Sequence, residues 1–285
     1  LALMDTPGQT LLGVYRMLVD DKFRKLIVAN IKDPIVKMFW IEDYENYDPR
    51  FRKEIIAPVQ NKVGQLLTSA PLRNIVGQTK SSVDFGFVMD QKRILLANLS
   101  KGKIGEDKSN LLGSAIVTKL YLAALERQNI PEEHRRDFYL YIDEFQNFST
   151  DIFPSILSEA RKYRLNLNIA HQYLYQLPEA IKHAVFGNVG TVISFRVGSY
   201  DAKELAEELK PVFTSEDLEH LENHQISLRL MVDGKMSRAF SAITLPPLSK
   251  NGNESDRETI LRVSRERYTV PRDIIEEKIK TWFEK

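Results

Sequence analysis

Two adjacent carboxylates, Asp143 and Glu144, close the apolar run Phe138-Tyr-Leu-Tyr-Ile142. That order has the form of a Walker B motif. A nucleoside triphosphate needs Mg²⁺ to offset the charge that builds on its phosphate oxygens, and a carboxylate at the carboxyl end of a strand can hold the ion through water. The next carboxylate points the other way and can take a proton from an attacking water. Asp143 is the candidate for the metal and Glu144 for the water. Acidic residues also stand ahead of helices because a helix N-terminus favours negative charge, so the pair by itself leaves both readings open.

A second apolar run, Asn166-Leu-Asn-Ile-Ala170, ends in His171-Gln172. In many RecA-like motors an amide at this edge touches the terminal phosphate or the attacking water, and Gln172 is the candidate here; His171 reads as a packed neighbour rather than a base. A third run, Thr191-Val-Ile-Ser-Phe195, leads into Arg196, a candidate arginine finger whose alternative is a structural ion pair. No window of the sequence satisfies the phosphate loop G-x-x-x-x-G-K-[ST]. The nearest, Gly102 to Ser109, has Asp107 where the second glycine must sit, and a carboxylate there repels phosphate. Lys101, Lys103 and Lys108 still make this a basic loop, facing either nucleic acid or water.

These residues need a scaffold of strands and helices, and the pattern supplies one. From about Val83 the chain alternates: an apolar run Arg93–Asn98 predicts a buried strand, and Leu111–Leu125 a long helix. Residues 138–142 predict a strand covered on both faces, followed by a helix over 151–163, a strand over 166–170, a helix over 178–186 and a strand over 191–195. That rhythm argues for an α/β sheet with crossover helices. Further on, 225–232 and 235–244 flank Asp233-Gly234, a strong hairpin signal.

Residues 6–80 read differently, as short amphipathic helices. Leu11, Leu12, Tyr15 and Leu18 share one face; Phe23, Leu26, Ile27 and Ile31 repeat the spacing; Asp33-Pro34 is a cap-plus-proline start. Ile55, Ile56, Val59, Val63, Leu66 and Leu67 form a stripe in a helix that Pro58 bends or opens. Ser249–Ser255 reads as a polar linker and the residues after it as one or two charged surface helices. The expected organisation is therefore an all-α domain over 1–82, an α/β domain over 83–248, and a linker with a helical tail over 249–285.

Composition narrows the classes. The 285 residues carry 40 Lys+Arg against 39 Asp+Glu, a net charge of +1, so any contact with DNA must come from a local patch or from repetition in an oligomer. A hydrophobic fraction of 43% supports a packed core rather than a disordered chain. With no cysteine, disulfides, thiolate metal sites and cysteine nucleophiles are excluded together. No apolar run approaches the ~18–20 residues of a membrane span. The chain opens on Leu1-Ala-Leu-Met rather than on a signal peptide, which reads as the interior of a longer protein.

Several stretches in order, Arg93–Glu106, Leu111–Ser114, Tyr141-Ile-Asp-Glu-Phe-Gln-Asn-Phe148, Ile156–Tyr163, Asn166–Tyr173, Phe186–Gly190, Ile193–Gly198 and Ser264–Tyr268, resemble the TraG/TraD-like coupling proteins of conjugative and type IV secretion systems. These belong to the HerA–FtsK branch of RecA-like ATPases. The resemblance spans residue 5 to the C-terminus. It implies a RecA-like, mostly parallel sheet with flanking helices, into which residues 6–80 are inserted as the all-α domain. It also implies a hexameric, ATP- and Mg²⁺-dependent motor that moves DNA at the cytoplasmic face of a bacterial inner membrane, with relaxosome or secretion-channel proteins as partners. By the same resemblance the phosphate loop and any membrane anchor lie upstream of Leu1, so these residues alone are expected to be inactive. Two other readings stay open: a non-catalytic module that recognises substrate or relaxosome proteins, and an unrelated α/β enzyme with a chance Asp-Glu pair.

Overall fold

The computed structural model describes residues 1–247 and 254–284, and the chain divides into two compact units: residues 1–83 with 252–285, and residues 84–251. The first unit opens with α1 (Leu11–Val19), α2 (Asp21–Asn30) and α3 (Pro34–Met38), then a π-helical turn over Phe39–Tyr44, α4 (Pro49–Thr68) and α5 (Ala70–Val76). The starts follow from capping chemistry. Asp20 accepts the Lys22 and Phe23 N–H groups, Asp33 those of Ile35 and Val36, and Asp48 those of Arg50 and Phe51. Pro34 and Pro49 occupy first-turn positions where no N–H is needed. Pro58, in contrast, lies inside α4, which runs through it. The predicted stripe on α4 is split: Ile56, Val63 and Leu66 are buried, whereas Ile55 and Val59 face outward.

The second unit begins with α6 (Phe85–Asp90). The strand predicted over Arg93–Asn98 does not form: the segment has no regular secondary structure and joins no sheet among the described residues, with Ile94 88% and Leu96 83% exposed. Its apolar run matched the pattern of a buried strand, but no strand among the described residues pairs with it. Next come α7 (Lys101–Ile104), α8 (Glu106–Glu126), β1 (Phe138–Ile142), α9 (Phe153–Glu159), β2 (Leu165–Ile169), α10 (Glu179–Asn188) and β3 (Val192–Ser194). After α11 (Ser199–Glu208) and α12 (Ser215–Glu219) the unit ends in β4 (Gln225–Arg229), β5 (Met231–Val232), β6 (Lys235–Met236) and β7 (Phe240–Ile243).

β1 and β2 run parallel, Phe138 opposite Leu165 and Ile142 opposite Ile169, with α9 in the crossover. β3, β4 and β7 form a separate antiparallel sheet, and β5–β6 a short hairpin whose Asp233 and Gly234 both have positive φ, as a tight primed turn requires. The parallel component is thus one pair of strands, and the other described strands pair antiparallel. One core joins the helices to both sheets, with Leu120, Phe145, Phe153, Ile156 and Leu165 at its centre. Arg127, 2% exposed, ties three segments: its guanidinium donates to the Arg136 and Tyr163 carbonyls at 3.0 and 2.9 Å and pairs with Asp90 at 2.8 Å.

The chain then returns to the first unit as α13 (Glu254–Tyr268) and α14 (Arg272–Glu284). Within this tail α14 buries Ile275 and Ile279, whereas α13 is exposed along almost its whole length. Ile275 and Ile279 join Leu12 in one cluster, Trp282 meets Phe23 edge-on at 5.5 Å, and Arg16 donates to the Trp282 carbonyl at 2.9 Å. Most of the linker predicted over 249–255 lies outside the described residues.

Gly113 lets α8 pass close to the loop after β1. A Cβ at this position would overlap the buried Phe148 ring and lie 3.0 Å from Leu99 Cδ1. Alanine normally gains roughly 1 kcal/mol over glycine inside a helix, whereas overpacking costs about 1–3 kcal/mol. We expect Gly113→Ala to lower the denaturant midpoint of the second unit. A raised midpoint would show that Phe148 moves aside freely.

Candidate nucleotide-processing site

The acid pair sits where a buried anchor fixes it. Phe145, fully buried and edge-on to Phe153 at 4.7 Å, donates its N–H to the Ala170 carbonyl at 2.8 Å, and the Ala170 N–H bonds the Ile142 carbonyl at 2.9 Å. The β1–β2 ladder therefore extends one step past the strand ends and spans Asp143 and Glu144. Between the anchors at 142 and 145, Glu144 adopts the left-handed conformation, φ 51° and ψ 46°. A non-glycine residue there carries a strain of roughly 1–2 kcal/mol, and such strain concentrates at functional positions.

The strain sets where the carboxylate goes. Gln172 Nε2 donates to Glu144 Oε1 at 2.6 Å, and Gln146 Nε2 donates to Glu144 Oε2 at 2.6 Å. Asp143 stays exposed, its Oδ1 accepting the Glu144 N–H at 3.0 Å. The structure thus brings Asp143, Glu144 and Gln172 together at the carboxyl edge of the parallel pair. Among the described residues no three His, Cys, Asp or Glu side chains are grouped to bind a metal on their own. Magnesium on a nucleotide needs only one or two carboxylates beside phosphates and waters, and exposed Asp143 fits that demand.

Arg196 follows β3 at an exposed bend and shares with His171, Gln172 and Asp201 the wall of a cleft of about 1050 Å³ between β2 and β3. Burial pulls the His171 imidazole below its usual range, while the Asp201 carboxylate opposes the shift. Asp201 is 4% exposed and accepts the Leu174 N–H at 3.0 Å. His171 is thus a half-buried neutral ring in a packed position.

The three lysines separate. Lys101 is engaged by protein: its Nζ donates to Glu106 Oε1 at 2.7 Å and to Asn147 Oδ1 at 2.9 Å, tying the basic loop to the turn after Glu144. Lys103 is exposed on α7 and Lys108 half-exposed in the first turn of α8. Gly102–Ser109, rejected as a phosphate loop, folds as α7, Gly105 with φ 87°, and the start of α8 carrying Glu106 and Asp107 in its first turn. Two roles escaped the sequence reading, Gln146 as a partner of Glu144 and Asn147 as a partner of Lys101. An amide two residues beyond a carboxylate was the available signal, but it points at the carboxylate only because Glu144 is left-handed.

No protein-family model matches the sequence, and no curated protein matches it. Solved structures match by fold. The bacterial conjugative coupling protein TrwB, in the TrwBdeltaN70 unbound monoclinic form, shares 13% identity with a TM-score of 0.58, over 88% of this chain and 61% of that one. The plasmid coupling protein TrwB with the non-hydrolysable ATP analogue ADPNP shares 11% identity with a TM-score of 0.52, over 88% of this chain and 69% of that one. A genome packaging NTPase, B204 of Sulfolobus turreted icosahedral virus 2 in complex with AMPPCP, shares 16% identity over 60% of this chain and 74% of that one, at a TM-score of 0.37 that carries no argument. The coupling-protein likeness shows the fold class, a RecA-like α/β architecture with associated helices. The chain spans 61% of the length of the unbound coupling-protein structure.

The burial of His171 has a pH consequence. Its folded-state pKa is depressed by burial, so the unfolded chain takes up the proton first as pH falls through about 6.5. The stability contributed by the neutral ring is complete above that value and is lost below it. We expect the thermal midpoint of the second unit to fall between about pH 7 and 5, and His171→Gln to flatten that part of the profile. An unchanged slope would assign the loss to other groups.

Proposed function

We propose that these residues form the acid-pair portion of an ATP-driven, DNA-translocating motor of the conjugative or type IV coupling-protein kind, with the phosphate-binding loop supplied from outside the 285 residues. One observation carries the reading: Asp143, Glu144 and Gln172 converge at the carboxyl edge of a parallel strand pair, in a fold shared with a coupling protein that has been solved with an ATP analogue. Ligands of open α/β sheets bind at such edges. Asp143 would hold Mg²⁺, which when bound would supply positive charge against the phosphate oxygens. Glu144 takes the proton of the attacking water at its carboxylate, and the Gln172 amide, already within reach of that carboxylate, contacts the terminal phosphate or the water. Arg196 reaches a phosphate of its own or an adjacent subunit.

On this reading the working form is a homohexamer around DNA at the cytoplasmic face of a bacterial inner membrane, with relaxosome or secretion-channel proteins as partners. A non-catalytic module that recognises substrate or relaxosome proteins is the second reading.

Phosphate release separates the two. The 285-residue chain alone is expected to turn over ATP negligibly, because the backbone N–H cradle and its lysine are missing. In the longer polypeptide carrying a phosphate loop, Glu144→Gln should retain nucleotide and lower kcat by ~10²–10⁴-fold, the usual scale of general-base loss. No turnover by the longer polypeptide itself would support the recognition module, and unchanged turnover in the variant would remove Glu144 from the role of base.

DNA contact has its own test. Each lysine lost from a phosphate contact should reduce the slope of log K against log salt by about 0.9 for a duplex. Lys103→Glu and Lys108→Glu should show this in the assembled motor. Lys101→Gln should instead loosen the loop against Asn147 and leave the slope alone. Equal slopes in all variants would assign Lys103 and Lys108 to solvent.

A further inference from the structure

Both oxygens of Glu144 are occupied by glutamine amides, and the two amides are not equivalent. Gln146 is half-buried, belongs to the same short turn as Glu144, and stands on the fully buried Phe145; Ser149 Oγ donates to its backbone carbonyl at 3.0 Å. Its own Oε1 is buried without a hydrogen-bond partner. Turning the amide over would bring that oxygen against Glu144 Oε2, acceptor against acceptor, so the donor orientation is the one that can persist. The Lys101–Asn147 bond braces the neighbouring residue of the turn. Gln172 is exposed, comes from the loop after β2 and lines the cleft between β2 and β3.

We propose that Gln146 is a positioning residue that fixes the Glu144 carboxylate, while Gln172 is its releasable second partner. The inference rests on the reading of Glu144 as proton acceptor. A carboxylate offers about four acceptor positions, and the two amides use one on each oxygen, so Glu144 can still accept from a water while held. When Gln172 transfers its N–H to a phosphate oxygen, Oε2 stays on Gln146 and the carboxylate keeps its aim. Without Gln146 the same transfer would leave a left-handed glutamate with free side-chain torsions. Gln172 therefore senses and Gln146 holds.

The test uses the isotopically labelled 285-residue chain and NMR of its side chains, without nucleotide. In the wild-type protein the Gln146 side-chain amide protons should exchange with solvent about tenfold more slowly than those of Gln172, as a half-buried donor does beside an exposed one. Glu144→Ala should shift both amide signals. Gln146→Met, which keeps the shape and removes the donor, should move and broaden the Glu144 carboxyl carbon signal. Gln172→Met should move that signal and leave it sharp. Equal or reversed exchange rates in the wild type would overturn the proposal without any variant having to fold. So would a Glu144 carboxyl signal unmoved by Gln146→Met, or broadened as much by Gln172→Met. ATP enters none of these measurements, so a chain that never hydrolyses it still decides the role of Gln146. A failed turnover assay, conversely, would count against the functional reading alone.

Discussion

The placement of Asp143 and Glu144 against Gln172 depends on the burial of Phe145. Its ring fills the core against Phe153, and its N–H continues the β1–β2 ladder to Ala170. The chain must then turn back within two residues of Ile142, which is itself buried. A left-handed Glu144 closes that turn. The strain of one left-handed residue, roughly 1–2 kcal/mol, is offset by the burial of a large aromatic side chain, which stabilises by about 1.5–3 kcal/mol, together with the Phe145–Ala170 ladder bond. The carboxylate is delivered to the strand edge as a result. The aim of the Glu144 carboxylate is a by-product of hydrophobic anchoring.

The same logic explains how remote packing reaches the site. Gly113 admits Phe148 against α8, Ser109 donates to the Leu99 carbonyl at 2.5 Å, and Lys101 bridges Glu106 and Asn147. Together these contacts fasten the loop at 99–109 to the turn at 145–148. A lysine that looked available for phosphate is spent on that fastening, because two acceptors lie within its reach and hydrogen bonds to a charged donor are the stronger kind.

Much of this was legible in the residues. The continuous apolar run 138–142 and the alternation that follows it identified β1, β2 and β3, and Asp33-Pro34 marked a helix start that Asp48-Pro49 repeats. The acid pair and Gln172 could be chosen because strand ends are where polar side chains of an α/β sheet gather. Arg93–Asn98 shows the limit: an apolar run reports a tendency to be covered, whereas a strand also needs a hydrogen-bonding neighbour, and pairing is non-local. Gln146 shows another limit, since the backbone angles that aim Glu144 come from tertiary anchoring and leave no trace in local composition. The mutual packing of α1, α5 and α14 was likewise hidden, because nothing in either segment encodes a partner some two hundred positions away.

That return of the chain has an optical consequence. The sequence holds two tryptophans, Trp40 and Trp282, and both belong to the helical unit. Trp282 stands against Phe23 and beneath the Arg16 guanidinium, and Trp40 packs tilted against Tyr44 with ring centroids 4.8 Å apart. Indole emission therefore reports on the helical unit alone, while the unit bearing Glu144 absorbs through tyrosine and phenylalanine. Excitation at the red edge would watch one half of the molecule melt with the other half dark, so their cooperativity can be read without any added label.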